Sequence, residues 1–575
     1  MPTSAKSKNP LTNLSHPSLL QILLLVLPVI LLYGQFLWNP IVFDDGPFFD
    51  GSIHGQYLGK VFDLSLRWLP YATFEWTRAL LGTDLIWVHL GNLALHVANI
   101  ILLFLFLRRL FEVVLPADYS SSANTLSPLW LAVFGALIFA LHPAAVYAVA
   151  YLIQRSTLMA TFFTLVMWSL FLKGLVQRKP FWLVASAVAY FFAVLSKEHA
   201  IMAPAVAAII FFLVCKPNRQ LLVQVFPTFL LYGLCGAFVM YQRQSGHILG
   251  LAYEPLGLDM LSRLSEMDPG FDRSLAYPLS ILTQSFLFFK YLLVWIIPSP
   301  AWMSVDMYED FAMRLWSWPH VAGLVGFVVY PIIAVRLLLR RGVNGLLGFA
   351  MLCPWLLFAT ELSTVRIQES FVLYRSYLWM VGAFAAMPFL FQRMPAKRAA
   401  ILLTIFALIM IPLSWARLKT FSHPLLLWDD AAHLIEGKEA RPGVERIYNN
   451  RGVAWTHLMH FTEAIEDYNK SIAINPEYSR AYNNRGWTYM ELKQYPQALA
   501  DLNKAITLSP QASRSYLGRG LVYEALGNLV AARKDFEASC LMGSPQGCQK
   551  SGAFSTGGKR PLVPMGNQGQ ELRLQ

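Results

Sequence analysis

The chain has 575 residues, 56% of them hydrophobic and only 14% charged. Soluble globular chains carry about 25% charged residues, so the composition excludes a disordered polymer, a collagen, a disulfide scaffold and an ordinary cytosolic enzyme. Lys and Arg exceed Asp and Glu by 46 to 34, a formal net charge of +12, but the basic residues sit mainly at the ends of apolar runs. There they orient a membrane protein rather than bind nucleic acid.

A membrane-crossing helix takes about 20 mainly apolar residues. Eleven segments meet this: 18–39, 86–107, 128–149, 156–176, 180–196, 200–215, 220–241, 318–339, 343–361, 371–392 and 399–416. They predict an all-α fold, a polytopic membrane bundle over 18–416 that begins with a cytoplasmic segment 1–17. The first run is too long for the apolar core of a signal peptide and lacks a small-x-small site before Asp44, so it reads as an uncleaved helix. A further stretch, 279–298, carries Gln284 and Lys290 and ends at Pro298; it either crosses or dips in and returns. If it crosses, Arg336, Arg340, Arg341, Arg393, Lys397 and Arg398 fall outside. If it returns, they join Arg108, Arg109, Lys173, Arg178, Lys179, Lys216 and Arg219 inside. The positive-inside rule selects the second arrangement, which predicts eleven crossings and an extracytoplasmic C-terminus.

Residues 445–540 repeat with a period of 34. Tyr448-Asn449-Asn450-Arg451-Gly452 recurs as Tyr482-Asn483-Asn484-Arg485-Gly486 and as Tyr516-Leu517-Gly518-Arg519-Gly520, with Ala464, Ala498, Ala532, Pro476 and Pro510 in register. This is the tetratricopeptide pattern of helix–turn–helix units, and three units suffice for a stable stack. The predicted domain covers 421–552, with units near 445–478, 479–512 and 513–546, a lead-in helix near 421–440 and a disordered tail 553–575. Its concave face suits a protein partner or acceptor; the alternative is a stack that only stiffens the membrane part or holds a subunit. Cys215, Cys235 and Cys353 lie in apolar runs, whereas Cys540 and Cys548 either pair or remain thiols. No CxxC pair or metal-ligand cluster is present.

Ionisable residues within or beside membrane spans mark function by default. Asp44 and Asp45 follow the first span and suit a general base or a cation site; the alternative is a solvated helix end. His89, Asn92 and His96, at i, i+3 and i+7, share one helix face and point either to a site or to interhelical hydrogen bonds. His142-Pro143, Gln154-Arg155-Ser156, Ser196-Lys197-Glu198-His199, Arg366, Glu369 and Arg375 fall on the same predicted side. Cations there run against the charge bias, and a phosphate or pyrophosphate on a lipid carrier supplies a reason. For Lys197 and Glu198 the alternative is a local ion pair. The loop 242–278, with Tyr253, Glu254, Asp268, Asp272 and Arg273, reads as a lid or channel beside 279–298.

Together, Phe43-Asp44-Asp45, the His89…Asn92…His96 stripe, His142-Pro143 followed by Ala150-Tyr151-Leu152-Ile153-Gln154-Arg155, and Ser196-Lys197-Glu198 resemble a family of membrane glycosyltransferases. The chain resembles the bacterial relatives of the transmembrane-and-tetratricopeptide protein O-mannosyltransferases, of the GT-C superfamily, over nearly its whole length. The resemblance implies a polyprenyl-phosphate sugar donor, a reaction outside the cytoplasmic membrane and an acidic base in the first outer loop, here Asp44 or Asp45. It places Arg155 and Lys197 near the donor phosphate, with Arg375 beside them and His89, Asn92, His96, His142, Glu198 and Glu369 in support. Leu282-Thr283-Gln284 and Ser304-Val305-Asp306 resemble later outer-loop motifs. Tyr374-Arg375-Ser376-Tyr377-Leu378 resembles a motif with a Glu shortly before its Arg; here Leu373 stands in that place and Trp379 replaces the following Pro.

The residues fit that chemistry by themselves: a carboxylate deprotonates a hydroxyl, and cations stabilise a leaving phosphate. No metal ligand is assigned and no cofactor is required, although two adjacent carboxylates also suit a divalent cation. The competing readings are transfer to a glycolipid or polysaccharide, a membrane scaffold whose repeats recruit envelope or pilus proteins, and a transporter.

Overall fold

The computed structural model describes residues 17–43, 45, 57, 64–116, 119, 124–242, 257–438 and 441–552. Asp44, Tyr253, Glu254, most of the N-terminal segment and the tail 553–575 lie outside the described residues. Among the described residues every regular element is helical. An apolar bundle comprises α1 (Leu19–Tyr33), α2 (Trp68–Leu81), α3 (Leu85–Val114), α4 (Pro128–Leu141), α5 (Pro143–Val149), α6 (Arg155–Gln177), α7 (Pro180–Ser196), α8 (Ala203–Val214), α9 (Arg219–Gln242), α10 (Gly257–Met267), α11 (Ala276–Ile296), α12 (His320–Leu339), α13 (Gly342–Phe358), α14 (Leu373–Met380), α15 (Met387–Phe391) and α16 (Ala396–Thr420). A solenoid follows: α17 (Pro424–Ile435), α18 (Glu445–His457), α19 (Phe461–Ile474), α20 (Ser479–Glu491), α21 (Tyr495–Leu508), α22 (Ser513–Ala525), α23 (Leu529–Leu541) and α24 (Pro545–Ser551).

Eight of the described helices are long and apolar enough to cross a membrane, and the α4–α5 pair, bent by 63°, makes a ninth if counted as one span. Two shorter apolar helices, Pro180–Ser196 and Glu198–Val214, complete the set. The α4–α5 bend has a local cause. Pro143 opens α5 at a position where its missing N–H costs nothing, and the His142 side chain caps the new helix by accepting from the Ala144 N–H.

Two segments differ from the expectation. Residues 371–392 form no continuous span: a 3-10 run, Val381–Ala386, separates α14 from α15. Gly382 lies against the Cys353 side chain, where a Cβ has no room. The broken segment still runs the length of the bundle, from the Arg375 cluster to Pro388, whose carbonyl accepts from the Tyr119 hydroxyl (3.2 Å). Conversely, 279–298 forms most of the uninterrupted helix α11. Its first turns pack with Val444 and Ile447 of the solenoid. The segment after it returns to the same end, where Arg417 donates to the Met303 carbonyl (2.6 Å) and Arg446 grips Asp306. The chain is thus back at the solenoid end of the bundle within about ten residues of the end of α11. At the far end, basic-flanked connections meet: Arg341 donates to the Cys215 carbonyl (2.5 Å), and the Ala396 N–H to the Asn124 carbonyl (2.6 Å).

The solenoid stacks three helix pairs between the lead-in helix α17 and the closing helix α24. Ala464, Ala498 and Ala532 are buried where paired helices cross. Gly452, Gly486 and Gly520 face Tyr468, Leu502 and Phe536 at distances no Cβ tolerates. Cys540 and Cys548 are joined in a disulfide that ties α24 to α23.

Candidate functional site

At the solenoid end of the bundle, α3, the α5–α6 turn, the α7–α8 junction, the 303–310 loop and the start of α14 converge. Arg155 opens α6 and is 2% exposed. Its guanidinium donates to Asn92 Oδ1 (2.8 Å), the Val88 carbonyl (2.7 Å) and Thr73 Oγ1 (3.2 Å), and lies 4.0 Å over the Phe74 ring. Lys197, 5% exposed, donates to Gln154 Oε1 (2.8 Å) and Thr157 Oγ1 (2.7 Å), with the Tyr374 ring 5.0 Å away. Among the described residues, every hydrogen bond of these two buried cations therefore ends on a neutral acceptor. Burying a charge without a bonded counter-ion is costly; Arg155 has no carboxylate partner among the described residues, while Glu198 and Glu369 act on Lys197 only at longer range.

The remaining predicted residues divide by what they touch. Asn92 orients Arg155 and also donates to the Val149 and Leu152 carbonyls (3.3 Å each). His89 bonds the Asn39 carbonyl (3.1 Å). His96 lies between Tyr377 Oη (2.7 Å) and the Ala140 carbonyl (3.2 Å). The stripe thus points into the bundle, where His96 joins α3 to α4 and α14 and His89 ties α3 to the connection after α1. His142 stacks on Trp295 at 4.3 Å. Asp45 is fully buried and accepts backbone N–H groups from Ile153 (2.8 Å), Leu152 (3.4 Å) and Val42 (3.5 Å). It fastens the first connection to the turn that leads into Arg155. Glu198 pairs with Arg67 (2.5 Å) rather than with its neighbour Lys197.

Arg375 is held by two carboxylates, Glu361 (2.8 Å) and Glu369 (2.5 Å). Leu373 leaves no acidic residue just before this arginine, and the two glutamates supply that charge from the preceding connection. Glu361, 1% exposed, also faces His199 (3.2 Å) and Arg366 (3.4 Å). Burial alone would raise the Glu369 carboxyl, but Arg375, Arg446, Arg366 and Lys197 around it outweigh burial and hold it below the ordinary range. Arg446, from the first repeat, forms a two-pronged pair with Asp306 (3.0 and 2.6 Å).

Sequence reasoning missed several of these contacts. Gly91 faces the Arg155 guanidinium, 2.8 Å from where a Cβ would stand, so only glycine leaves room for it. Arg67, Glu361 and Arg446 join the cluster through contacts with residues distant in sequence. Among the described residues no group of three or more His, Cys, Asp or Glu side chains could hold a metal.

The tetratricopeptide repeat family matches residues 445–478 and 479–511. The C-terminal solenoid is therefore built of tetratricopeptide repeats, and α22–α23 extend the same architecture. The Arabidopsis OM64 TPR domain is 22% identical, covering 19% of this chain and 93% of its own, with a TM-score of 0.19. The second TPR domain of human RPAP3, solved with an HSP70 peptide, is 27% identical over 20% of this chain and 98% of its own, with a TM-score of 0.19. The MamA protein is 21% identical over 30% of this chain and 88% of its own, with a TM-score of 0.21. No curated protein matches the chain.

Proposed function

We propose that this protein is a membrane glycosyltransferase. It moves a sugar from a polyprenyl-phosphate donor to a hydroxyl, on a protein acceptor, at the extracytoplasmic face that carries the repeats. One observation carries this reading: Arg155 and Lys197 are buried at one end of an apolar bundle with only neutral hydrogen-bond partners. An anionic headgroup supplies the missing counter-charge. The acceptor proton passes to Asp44, the hydroxyl oxygen attacks the anomeric carbon, and the bond to the phosphate oxygen breaks. Arg155 and Lys197 stabilise the negative charge that develops on the departing phosphate. Asp45 anchors the first connection to the turn before Arg155, and Arg375, neutralised by two glutamates, takes no part in charge compensation.

The Cys540–Cys548 pair supports an extracytoplasmic solenoid, since disulfides persist in oxidising compartments. The basic connections at the opposite end of the bundle support the same orientation. The repeats in this reading hold the protein acceptor, in keeping with the use of such solenoids as protein-binding surfaces.

The test is sugar release from a polyprenyl-phosphate donor by purified wild type, Asp44→Asn, Asp45→Asn and Lys197→Met, with folding checked in parallel. Wild type should consume donor, and Asp44→Asn and Lys197→Met should do so at least about a hundredfold more slowly. A folded wild-type protein that leaves every such donor intact would sink the proposal and leave the bundle as an anchor for the repeats.

A further inference from the structure

Phe43 has a left-handed backbone, with φ of 54°. A bulky residue rarely adopts this conformation, and it persists only where its surroundings enforce it. Three groups from three parts of the chain press on the Phe43 ring. Tyr151, from the turn before Arg155, lies 5.8 Å away; Trp428 of α17 lies 5.3 Å away, edge-on; and the Arg446 guanidinium of α18 lies 5.2 Å away. Two of the three belong to the solenoid. Two residues on, Asp45 binds the Leu152 and Ile153 N–H groups, next to Arg155.

The solenoid is in turn fixed where it touches the bundle. Arg446 forks onto Asp306, and the adjacent Glu445 binds Arg263 of α10 (2.5 Å). Neighbouring residues of opposite charge thus grip opposite charges on the bundle. Gly443, at φ 98°, packs against Tyr308 and Met260 with no room for a side chain. Arg441 adds a pair with Asp310 (2.7 Å).

We infer that the first repeat is a working part of the bundle's site: Arg446 is a positioning residue that, with Trp428, clamps Phe43 and so holds the Asp45–Ile153 contact beside Arg155. A solenoid that served only to capture acceptor would alter acceptor affinity and leave this turn untouched. The clamp instead ties the rate of the chemistry to the repeats, a consequence that rests on the transferase reading, whereas the clamp itself does not.

The experiment is hydrogen exchange of the full-length protein in nanodiscs, comparing wild type, Arg446→Gln and Arg533→Gln, the last in an exposed pair within α23. Peptides containing Val42 and Phe43, and those containing Leu152 and Ile153, should lose protection by about tenfold in Arg446→Gln only, while α20–α23 stay unchanged. Unchanged exchange at both segments overturns the clamp. If exchange rises throughout Arg446→Gln, Arg446→Lys decides, because it returns a cation to the Phe43 ring. Recovered protection at Phe43 supports the inference, and persistent loss overturns it. In parallel, Arg446→Gln should lower kcat about tenfold with the acceptor KM unchanged within about twofold. A raised KM at constant kcat would assign Arg446 to acceptor capture instead. A wild type without donor turnover would defeat the transferase reading while the exchange data still judged the clamp.

Discussion

Arginines in the solenoid and cations in the bundle are satisfied in opposite ways. In each repeat one arginine forks onto an aspartate 16 residues later: Arg451 on Asp467, Arg485 on Asp501 and Arg519 on Asp535, at 2.7–2.8 Å. These bidentate pairs bridge the two helices of a unit and close their own charge. Arg155 and Lys197 are more deeply buried and have no such partner among their hydrogen bonds. The contrast separates charges that hold a structure from charges held ready. Arg375 belongs with the first kind although it lies beside the second.

The largest expected effect lies where a carboxylate gathers several cations. Glu361→Gln leaves Arg375 and Arg366 short of a buried counter-charge and should cost about 3–5 kcal/mol, read from the shift in chemical or thermal unfolding. Lys197→Met tests the other side of the contrast. Removing a buried ammonium that is bonded to no carboxylate should leave stability level or higher, while donor turnover falls by about a hundredfold. A large loss of stability in Lys197→Met would mean that its charge is structural after all. In the repeats, Asp501→Asn breaks a partly exposed fork and should cost about 1–2 kcal/mol, with turnover unchanged within about twofold.

The smallest effect is one of pH. The Glu369 carboxyl is held below its ordinary value of 4.5 in the folded protein. Its unfolded state therefore binds more protons in the window between the two values, and stability rises with pH there. The contribution is full above about 4.5 and is lost as pH falls through the folded value. Glu369→Gln should flatten the acid side of a plot of thermal midpoint against pH; an unchanged slope would mean that Glu369 is not held charged by its neighbours.

Much of this architecture is written locally. The period of 34 in Tyr448, Tyr482 and Tyr516 marks the repeats because each unit folds by the same short-range contacts. Apolar runs mark the bundle helices for a similar reason. Hydropathy does not, however, separate a continuous helix from a broken one: 371–392 reads as a span although it is interrupted at Val381–Ala386, and 279–298, set apart for Gln284, Lys290 and Pro298, forms a continuous helix. The charge pattern brought Arg155, Lys197, Arg375 and Glu369 forward, yet it gave no sign that a second carboxylate besides Glu369 holds Arg375. That carboxylate is Glu361, 14 residues away and on a different element. Arg446 and Asp306 are 140 residues apart, and nothing local in either segment announces the pair. Gly91 carries no signal until Arg155 is folded against it.

The ion pairs and close packing around Gly443 also decide how the solenoid moves. Units in such a stack touch only their neighbours, so a first unit fixed at its root turns the remainder into a cantilever. Bending accumulates outward from joint to joint, and the outermost helices, sealed by the cysteine bridge, sweep the widest arc while the root barely shifts. On the transferase reading proposed above, an acceptor held near the tip would swing with these helices while the site at the root kept its alignment.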